Sequence, residues 1–267
     1  MMAAPEDTRT EEARTETAVY VYGIVPADVE AEPDATGVGD PPSGVDTVRH
    51  EDIAALVSEV RIDRPLGRPE DLEAHAHLLD GAAAVVPVLP LKFGAVVTDT
   101  DAVTDELLAP HHDEFRTALD QVEGKAQYVV KGRYDESAVL QEILSENEDA
   151  ARLRDEIREV SEDAGRDARI ALGELVSNAV TAKRDADTAT VVEAVRSVTD
   201  DVRVRPPTHD LDAVHLAVLI KLDAEEDLGS ALSPVADDWS ERVELRVVGP
   251  MAAYDFVAAP APDEAEA

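Results

Sequence analysis

The sequence contains no cysteine, few aromatic residues and only five lysines. The absence of cysteine excludes disulfide bonds, thiolate catalysis and cysteine-ligated zinc. Aromatic residues make up 3% of the 267 residues and hydrophobic residues 44%, so a core must be built mainly from Val, Leu, Ile and Ala. The longest apolar runs are far shorter than the roughly 20 residues that cross a bilayer, so no transmembrane helix is predicted.

Positive charge is scarce as well: 24 Lys and Arg face 59 Asp and Glu, a formal net charge of -35. Such self-repulsion destabilises a compact chain in dilute buffer, whereas at about 1 M salt the Debye length falls to about 3 Å. Because the acids are spread along the whole chain, we predict a cytoplasmic protein from a salt-accumulating halophile. A merely acidic protein, or one with acidic disordered tails, is the alternative. No basic stripe is present, so nucleic acid and anionic membranes are not expected partners.

The first half of the chain alternates between apolar strands and amphipathic helices. Val19–Val25 predicts a strand buried on both faces, and the Pro-, Gly- and Asp-rich stretch 26–46 predicts a loop. The next segment predicts two strands around a turn at His50–Asp52, with a helix over Ile53–Val60 as the alternative. Three helices are expected to follow: one starting near Pro69 with an apolar stripe of Leu72, Ala76 and Leu79, one capped by Thr100 over 101–109, and one from Pro110 to Val122 that ends at Gly124.

The second half predicts the element order β-α-(α)-β-β-α-β, which is the order of a ferredoxin-like split βαβ unit. Its first helix is long and charged, over Asp149–Ala182, and a further helix fits 188–199. The strand near the end alternates apolar and charged residues over 242–247, which is typical of an antiparallel sheet with one wet face. The apolar stripe of the long helix, at steps of three and four, consists of Leu153, Ile157, Val160, Ala164, Ala168, Leu172, Leu175 and Ala179.

These patterns together predict an α+β protein of two small domains with ferredoxin-like antiparallel sheets and helices. The N-terminal α+β domain is expected over 18–123, and the C-terminal ferredoxin-like domain, with the long charged helix, over 124–258. Residues 1–17 have no apolar signal-peptide core, and both they and residues 259–267 are predicted to form disordered acidic tails.

Histidine is the one soft metal ligand in the sequence. His75 and His77 are spaced i, i+2, so a helix directs them away from each other, and solvated helix histidines are expected rather than a metal pair. His111 and His112 stand beside Asp113 and Glu114 and are better explained as a polar helix start. His215 lies in a predicted strand and is expected to be packed or bonded across strands. 

The stretch "VVPVLPLKFGAVVTD" is apolar like a strand but carries Pro87 and Pro90, which remove two ladder donors and predict a sheet edge. Gly94 permits a bulge, and Phe93 is expected to fill the core. Lys92 is expected to point outwards in a structural or interface role, because no phosphate loop or cofactor motif accompanies it. "GVGDPPSG" lacks the third glycine of a dinucleotide fingerprint. No catalytic residue, cofactor-binding residue or metal ligand is therefore assigned, and no cofactor is expected.

Four segments in order resemble one known family. "VYVYGIVPA", "GVGDPPSGVDTVRHEDIAALVSEV", "LPLKFGAVV" and "VVGPMAAYDF" are similar to segments of the gas vesicle protein F/L family (GvpL/GvpF), and the resemblance extends from Ala18 to Val257. Two positions depart from the family pattern. Lys92 stands where a basic residue, often Arg, is usual, and Met251–Ala253 stands where a second proline pair is common.

The resemblance implies a non-enzymatic accessory or minor structural protein required for gas vesicle assembly. It also implies binding to other gas vesicle proteins, an early role in shell nucleation, and a cytoplasmic, vesicle-associated location. The acidic composition points to a haloarchaeal member, and the extra length slightly favours the L type over the F type. A small-molecule sensing module built on ferredoxin-like domains and a metal-dependent enzyme are the alternatives.

Overall fold

The computed structural model describes residues 17–159 and 165–257, which form two compact units. The first unit consists of residues 17–79 and 90–119, and the second of residues 80–89 and the described residues from 120 onwards. Each unit carries an antiparallel sheet, and seven α-helices accompany the two sheets within the described ranges. The predicted α+β fold class is therefore confirmed. The predicted tails lie outside the described residues, except that Thr17 already belongs to the first strand.

The sheet of the first unit has strand β1 at its centre. Its buried side chains include Val21, Ile24 and Val25, so the predicted doubly buried strand is confirmed. The predicted hairpin is also confirmed, because β2 and β3 pair in register on either side of the turn, and the helical alternative over 53–60 is wrong. The order is β2-β3-β1-β4, and β5 also pairs with β1. The strands are β1 Thr17–Pro26, β2 Val45–His50, β3 Ile53–Arg61, β4 Leu89–Pro90 and β5 Val96–Val97.

Two of the three helices predicted for this region start at other residues than the sequence predicts. Helix α1 spans Pro69–Ala83, as expected, but the next helix is capped by Asp99, whose Oδ1 accepts a hydrogen bond from Ala102 N at 2.9 Å. Thr100, the predicted cap, is already the first helical residue. The remaining bounds are α2 Thr100–Ala102, a π-helical segment Val103–Leu108 and α3 His112–Val122. Gly124 follows α3 with φ 65°, a conformation that suits glycine at a helix end.

The second unit has the topology of a split βαβ fold. Strands follow one another as β6, β7, β8 and β9 along the chain but lie in the order β7-β8-β6-β9 in the sheet, and all neighbours are antiparallel. This ferredoxin-like arrangement is the predicted one. The strands are β6 Lys125–Tyr134, β7 Val202–Val204, β8 Asp212–Lys221 and β9 Val243–Met251, and helix α7 spans Glu225–Asp238 between β8 and β9.

The single long helix predicted over 149–182 is wrong. The chain instead forms α4 over Glu136–Glu146, α5 over Glu148–Glu159 and α6 over Arg166–Val195, and α5 packs against α6. Helix α6 also absorbs most of the separate helix predicted over 188–199. Val160 and Ala164 of the predicted stripe lie outside the described residues. The long charged element is thus a pair of packed helices, not one.

The core of the second unit lies between one face of the sheet and helices α4, α6 and α7. Because strand side chains alternate, every second residue of the central strands enters this core. On the edge strand β9 the alternation fades: Val243 is buried, but Val247, predicted on the same inner face, is 42% exposed. The fully buried residues of this core include Tyr128, Val130, Val139, Val191, Val195, Val214, Leu216, Val218 and Leu228.

Candidate interaction surfaces

His75 is buried in the first unit, with 5% of its surface exposed, so its predicted solvated position is wrong. His77 is exposed, as predicted. The apolar stripe predicted for α1 is wrong in part: Leu79 is buried as expected, but Leu72 is 48% exposed, and Asp71 on the row of His75 and Leu79 is buried instead. The i, i+2 spacing separates the two histidines as expected.

A hydrogen-bonded chain links His75 to the loop that carries Lys92. Gly94 N donates to the Tyr20 hydroxyl at 3.0 Å, and that hydroxyl lies 2.9 Å from His75 Nδ1. Burial lowers the pKa of His75, and a hydrogen bond to the backbone of Leu91 opposes that shift. Burial likewise raises the pKa of Tyr20. Both groups are therefore neutral near pH 7, which makes Tyr20 the donor and Nδ1 the acceptor.

The segment 90–94, which we call the Lys92 loop, is held against this aromatic group. The ring of Phe93 stands edge-on to His75 with centroids 5.6 Å apart, and Leu91 N donates to Tyr22 O at 2.9 Å. Lys92 itself is exposed, so it lacks the desolvation that a Schiff-base or general-base lysine needs. The loop presents a cation on the surface, and strand β4 lies at the sheet edge, as the prolines predict.

His112 joins the start of α3 to the turn between β2 and β3. Its Nε2 lies 2.6 Å from Asp52 Oδ1 and 3.4 Å from Glu51 Oε2, a grouping of the kind that holds a metal ion. Arg116 already pairs with Asp52, however, and both carboxylates are exposed. We therefore interpret the group as a polar contact between two elements, in line with the predicted polar helix start.

A charged network is buried in the second unit, and sequence reasoning missed it. The Tyr134 hydroxyl donates to Asp187 Oδ2 at 2.6 Å, and Arg242 donates to both carboxylate oxygens at 2.7 and 2.9 Å. Burial, followed by the hydrogen bond to Asp187, raises the pKa of Tyr134. The guanidinium of Arg242 also lies over the Trp239 ring, 5.1 Å from its centroid. Asp187 stands four residues before Val191 on one helix face, which is the signal that marks it in the sequence.

His215 is packed inside β8, as predicted, with 8% of its surface exposed. Its Nδ1 donates to Pro206 O at 2.8 Å, which fixes the ring against the loop before β8. Among the described residues its Nε2 has no hydrogen-bond partner. The position is structural, because the ring closes the sheet against its own connecting loop.

A cavity of about 590 Å³ in the first unit is lined by three arginines, one at the end of β3 and two in the segment that follows it. Arg61 pairs with Asp63, while Arg64 and Arg68 both pair with Asp40. An anionic ligand would have to displace these carboxylates. The cavity is thus a weak basis for the sensing-module alternative.

The segment "VVGPMAAYDF" closes over β6 of the second unit. A Cβ on Gly249 would lie 2.6 Å from Tyr128 Cδ1, so only glycine lets the backbone pass the ring. The Gln127 side chain accepts a hydrogen bond from Asp255 N at 2.9 Å and donates to Asp255 Oδ2 at 2.7 Å. Ala252 and Ala253, which precede the Asp255 that bonds to Gln127, are buried. Small residues thus fill the positions where the family pattern often has prolines.

The model of the family "Gas vesicle synthesis protein GvpL/GvpF" matches residues 18–258. The chain belongs to this family. The predicted resemblance is thereby confirmed at the level of the family, and membership implies a part in gas vesicle assembly.

Relatives of both types align over nearly the whole chain. Gas vesicle protein F of a Streptomyces species is 32% identical over 240 residues, covering 89% of this chain and 98% of the relative. Gas vesicle protein L1 of Halobacterium salinarum is 28% identical over 280 residues, covering 95% and 96%. Because bacterial and archaeal relatives both match, the haloarchaeal origin stays a prediction.

Solved structures share the fold. The crystal structure of GvpF from Anabaena superposes with a TM-score of 0.73 at 23% identity, covering 90% of this chain and 98% of that one. GvpF from Microcystis aeruginosa gives a TM-score of 0.69 at 21% identity over the same share of each chain. Within residues 17–159 and 165–257, no helix combines the length and apolarity needed to cross a bilayer.

Proposed function

We propose that this chain is a non-enzymatic accessory or minor structural protein required for gas vesicle formation. In this role it binds other gas vesicle proteins and acts early, when the shell nucleates. The observation that carries the proposal is the family match over 18–258, which includes both units and every strand of the two sheets except the first residue of β1.

Two surfaces are proposed to contact partners. The first is the Lys92 loop at the sheet edge, where the exposed Lys92 is available to pair with a single carboxylate of a partner. The second is the helix pair α5 and α6, whose outer face is rich in charge and exposes Ile170 by 53%.

Charge reversal on α5 tests the second surface. Asp155 and Glu156 are exposed, so their replacement by lysine changes the surface without opening a core. Pull-downs with each of the other gas vesicle proteins are expected to lose at least one partner. The matched control is Asp113→Lys at the start of α3, whose side chain is fully exposed in the first unit. Intact capture of every partner by the α5 variant would remove this surface from the proposal.

The physiological role is tested by an in-frame deletion in the source organism, with electron microscopy for gas vesicles. Cells without vesicles, restored by the gene in trans, are the expected result. Normal vesicles in the deletion strain and also in a double deletion with any paralogue would contradict the proposal. A family member that acts early should leave no partly assembled shells in the deletion strain, whereas a late role should leave small or misshapen ones.

The finer assignments also belong to the proposal. We place the protein in the cytoplasm, associated with vesicles, and in a salt-accumulating organism, on the basis of its charge. The slight preference for the L type stays a prediction, since relatives of both types align at similar length. The alternative of a small-molecule sensor predicts ligand-dependent shifts in melting temperature, which a screen of metabolites would detect.

A further inference from the structure

Strand β9 forms one edge of the sheet in the second unit. Among the described residues only β6 pairs with it, so its other side carries unpaired backbone groups. Two consecutive valines, Val247 and Val248, are 42% and 45% exposed, and consecutive strand residues point to opposite faces. Edge strands of monomeric proteins are usually short, bulged or covered, because an exposed apolar edge pairs with other strands. β9 is nine residues long, and its pairing with β6 is regular from Val243 to Val248, before an irregularity at Gly249 and Pro250.

The charges on β9 are arranged so that the strand complements itself. Leu245 is the centre of the pattern. The acidic Glu244 precedes it and the basic Arg246 follows it, and one residue further out on each side stands a valine, Val243 or Val247. Antiparallel pairing of two copies about a two-fold axis at Leu245 would place Glu244 opposite Arg246 of the second copy, and Val243 opposite Val247 of the second copy. An interface between identical chains requires this kind of self-complementarity, and opposite charges directly across a sheet are stabilising.

We propose that β9 pairs antiparallel with β9 of a second copy of this chain, which joins two four-stranded sheets into one. In the isolated chain Arg246 Nη2 lies 2.7 Å from Glu244 Oε1, with 71% and 65% of these side chains exposed. An exposed pair of this kind contributes little to stability, so exchanging it for cross-strand pairs costs little. The pairing would also set Val247 beside Val243 of the second copy and so reduce its exposure to water. A partner with another charge pattern would not match both positions.

The competing interpretation is that Glu244 and Arg246 keep the edge monomeric by decorating it with charge. Two single charge reversals separate the interpretations. Glu244→Arg gives a strand with two cations, and Arg246→Glu gives a strand with two anions. In the proposed dimer each variant sets like charges opposite each other twice, so we expect the dissociation constant to rise about tenfold or more.

The decisive experiment mixes the two single variants. In a heterodimer the two-cation strand faces the two-anion strand, so dimers should return in the mixture although neither variant dimerises alone. The double variant E244R/R246E should dimerise like the wild type. Sedimentation velocity measures the species, at the lowest salt concentration at which circular dichroism shows each variant folded. Asp113→Lys, outside the second unit, is the control for net charge and should leave dimerisation unchanged.

A wild-type protein that stays monomeric across the accessible concentration range would overturn the proposal. Two other results would overturn it as well: single variants that dimerise as tightly as the wild type, and a mixture that remains monomeric. The test needs no other gas vesicle protein. Its outcome is therefore independent of whether the proposed assembly function is correct.

Discussion

The Tyr20 hydroxyl lies 2.9 Å from Nδ1 of His75, and this buried contact joins the central strand of the first sheet to helix α1. The same hydroxyl accepts a hydrogen bond from Gly94 N at 3.0 Å. One tyrosine thus holds a helix and the Lys92 loop together. An imidazole accepts this bond at Nδ1 only while it is neutral, since protonation converts both ring nitrogens to donors. The position of the Lys92 loop, a proposed partner surface, therefore depends on the buried His75.

Removing His75 is expected to destabilise the protein. His75→Ala leaves a cavity and removes the acceptor for the proton of the buried Tyr20 hydroxyl, which together cost about 2–4 kcal/mol. His77→Ala is the matched control, because His77 lies two residues further along the same helix and is exposed. Urea unfolding at constant salt measures both variants. Equal midpoints for the two would contradict the role of the Tyr20–His75 contact.

The same residue should make stability depend on pH. Burial holds the pKa of His75 below its ordinary value of 6.5, so the unfolded chain binds this proton more readily than the folded one. The stabilising contribution is therefore complete above pH 6.5 and is lost as the pH falls from there through the lowered pKa. Carboxylates also titrate on acidification, so the measured quantity is the difference between wild type and His75→Gln. Wild type should lose more stability between pH 7 and 5 than the variant, and parallel curves would refute the assignment.

The sequence predicts the strands better than it predicts the helix faces. β1, the β2–β3 hairpin and β9 follow from apolar runs and period-two alternation, which depend on local pattern alone. Helix α1 does not, because its buried row includes Asp71, and polar residues count against burial in any hydrophobic pattern. Asp71 is buried since its carboxylate accepts from Gly39 N, Gly67 N and Arg68 N. Those donors come from loops whose position no local pattern specifies.

The misplaced long helix has a related cause. Residues 149–182 keep apolar steps of three and four throughout, so the pattern continues across a break between two helices. Helix α5 packs against α6, and Leu175 and Ala179 of α6 pack against the core of the second unit, so both helices need an apolar side. Gly165, directly before α6, is the one local signal of the break. The buried Asp187 is hard to single out in a helix rich in exposed acids, and its spacing of four residues from the buried Val191 is the one pattern that marks it.

Breaking the buried ion pair of the second unit should be costly. Asp187→Asn leaves the Arg242 guanidinium without its bidentate partner and is expected to cost about 3–5 kcal/mol. Asp185→Asn is the control, an exposed acid two residues earlier on α6. Denaturant unfolding at fixed salt gives both values. A difference below about 1 kcal/mol would show that the pair contributes no more than a surface salt bridge.

Gly249 is expected to tolerate no side chain. Gly249→Ala places a methyl group 2.6 Å from Tyr128 Cδ1 and 3.0 Å from Gln127 O, so strand or ring must move, at a cost of about 1–3 kcal/mol or more. Gly229→Ala provides the control in helix α7, where an added Cβ meets nothing within 4 Å. That change should be neutral or stabilising by about 0.5–1 kcal/mol, since glycine weakens a helix interior. Thermal unfolding of both variants decides, and a stable Gly249→Ala protein would disprove the close approach.

Salt should control whether the folded state persists. The net charge of -35 destabilises the compact chain by repulsion between its acidic residues. At about 1 M salt the Debye length is about 3 Å, so this repulsion is largely screened. Trp239 and four tyrosines (Tyr20, Tyr22, Tyr128 and Tyr134) are buried, so near-UV circular dichroism reports their packing directly. Dialysis from concentrated KCl to low salt should abolish this signal, and added KCl should restore it. Spectra that stay unchanged at low salt would show that packing outweighs the repulsion, and the proposed halophilic origin would lose its support.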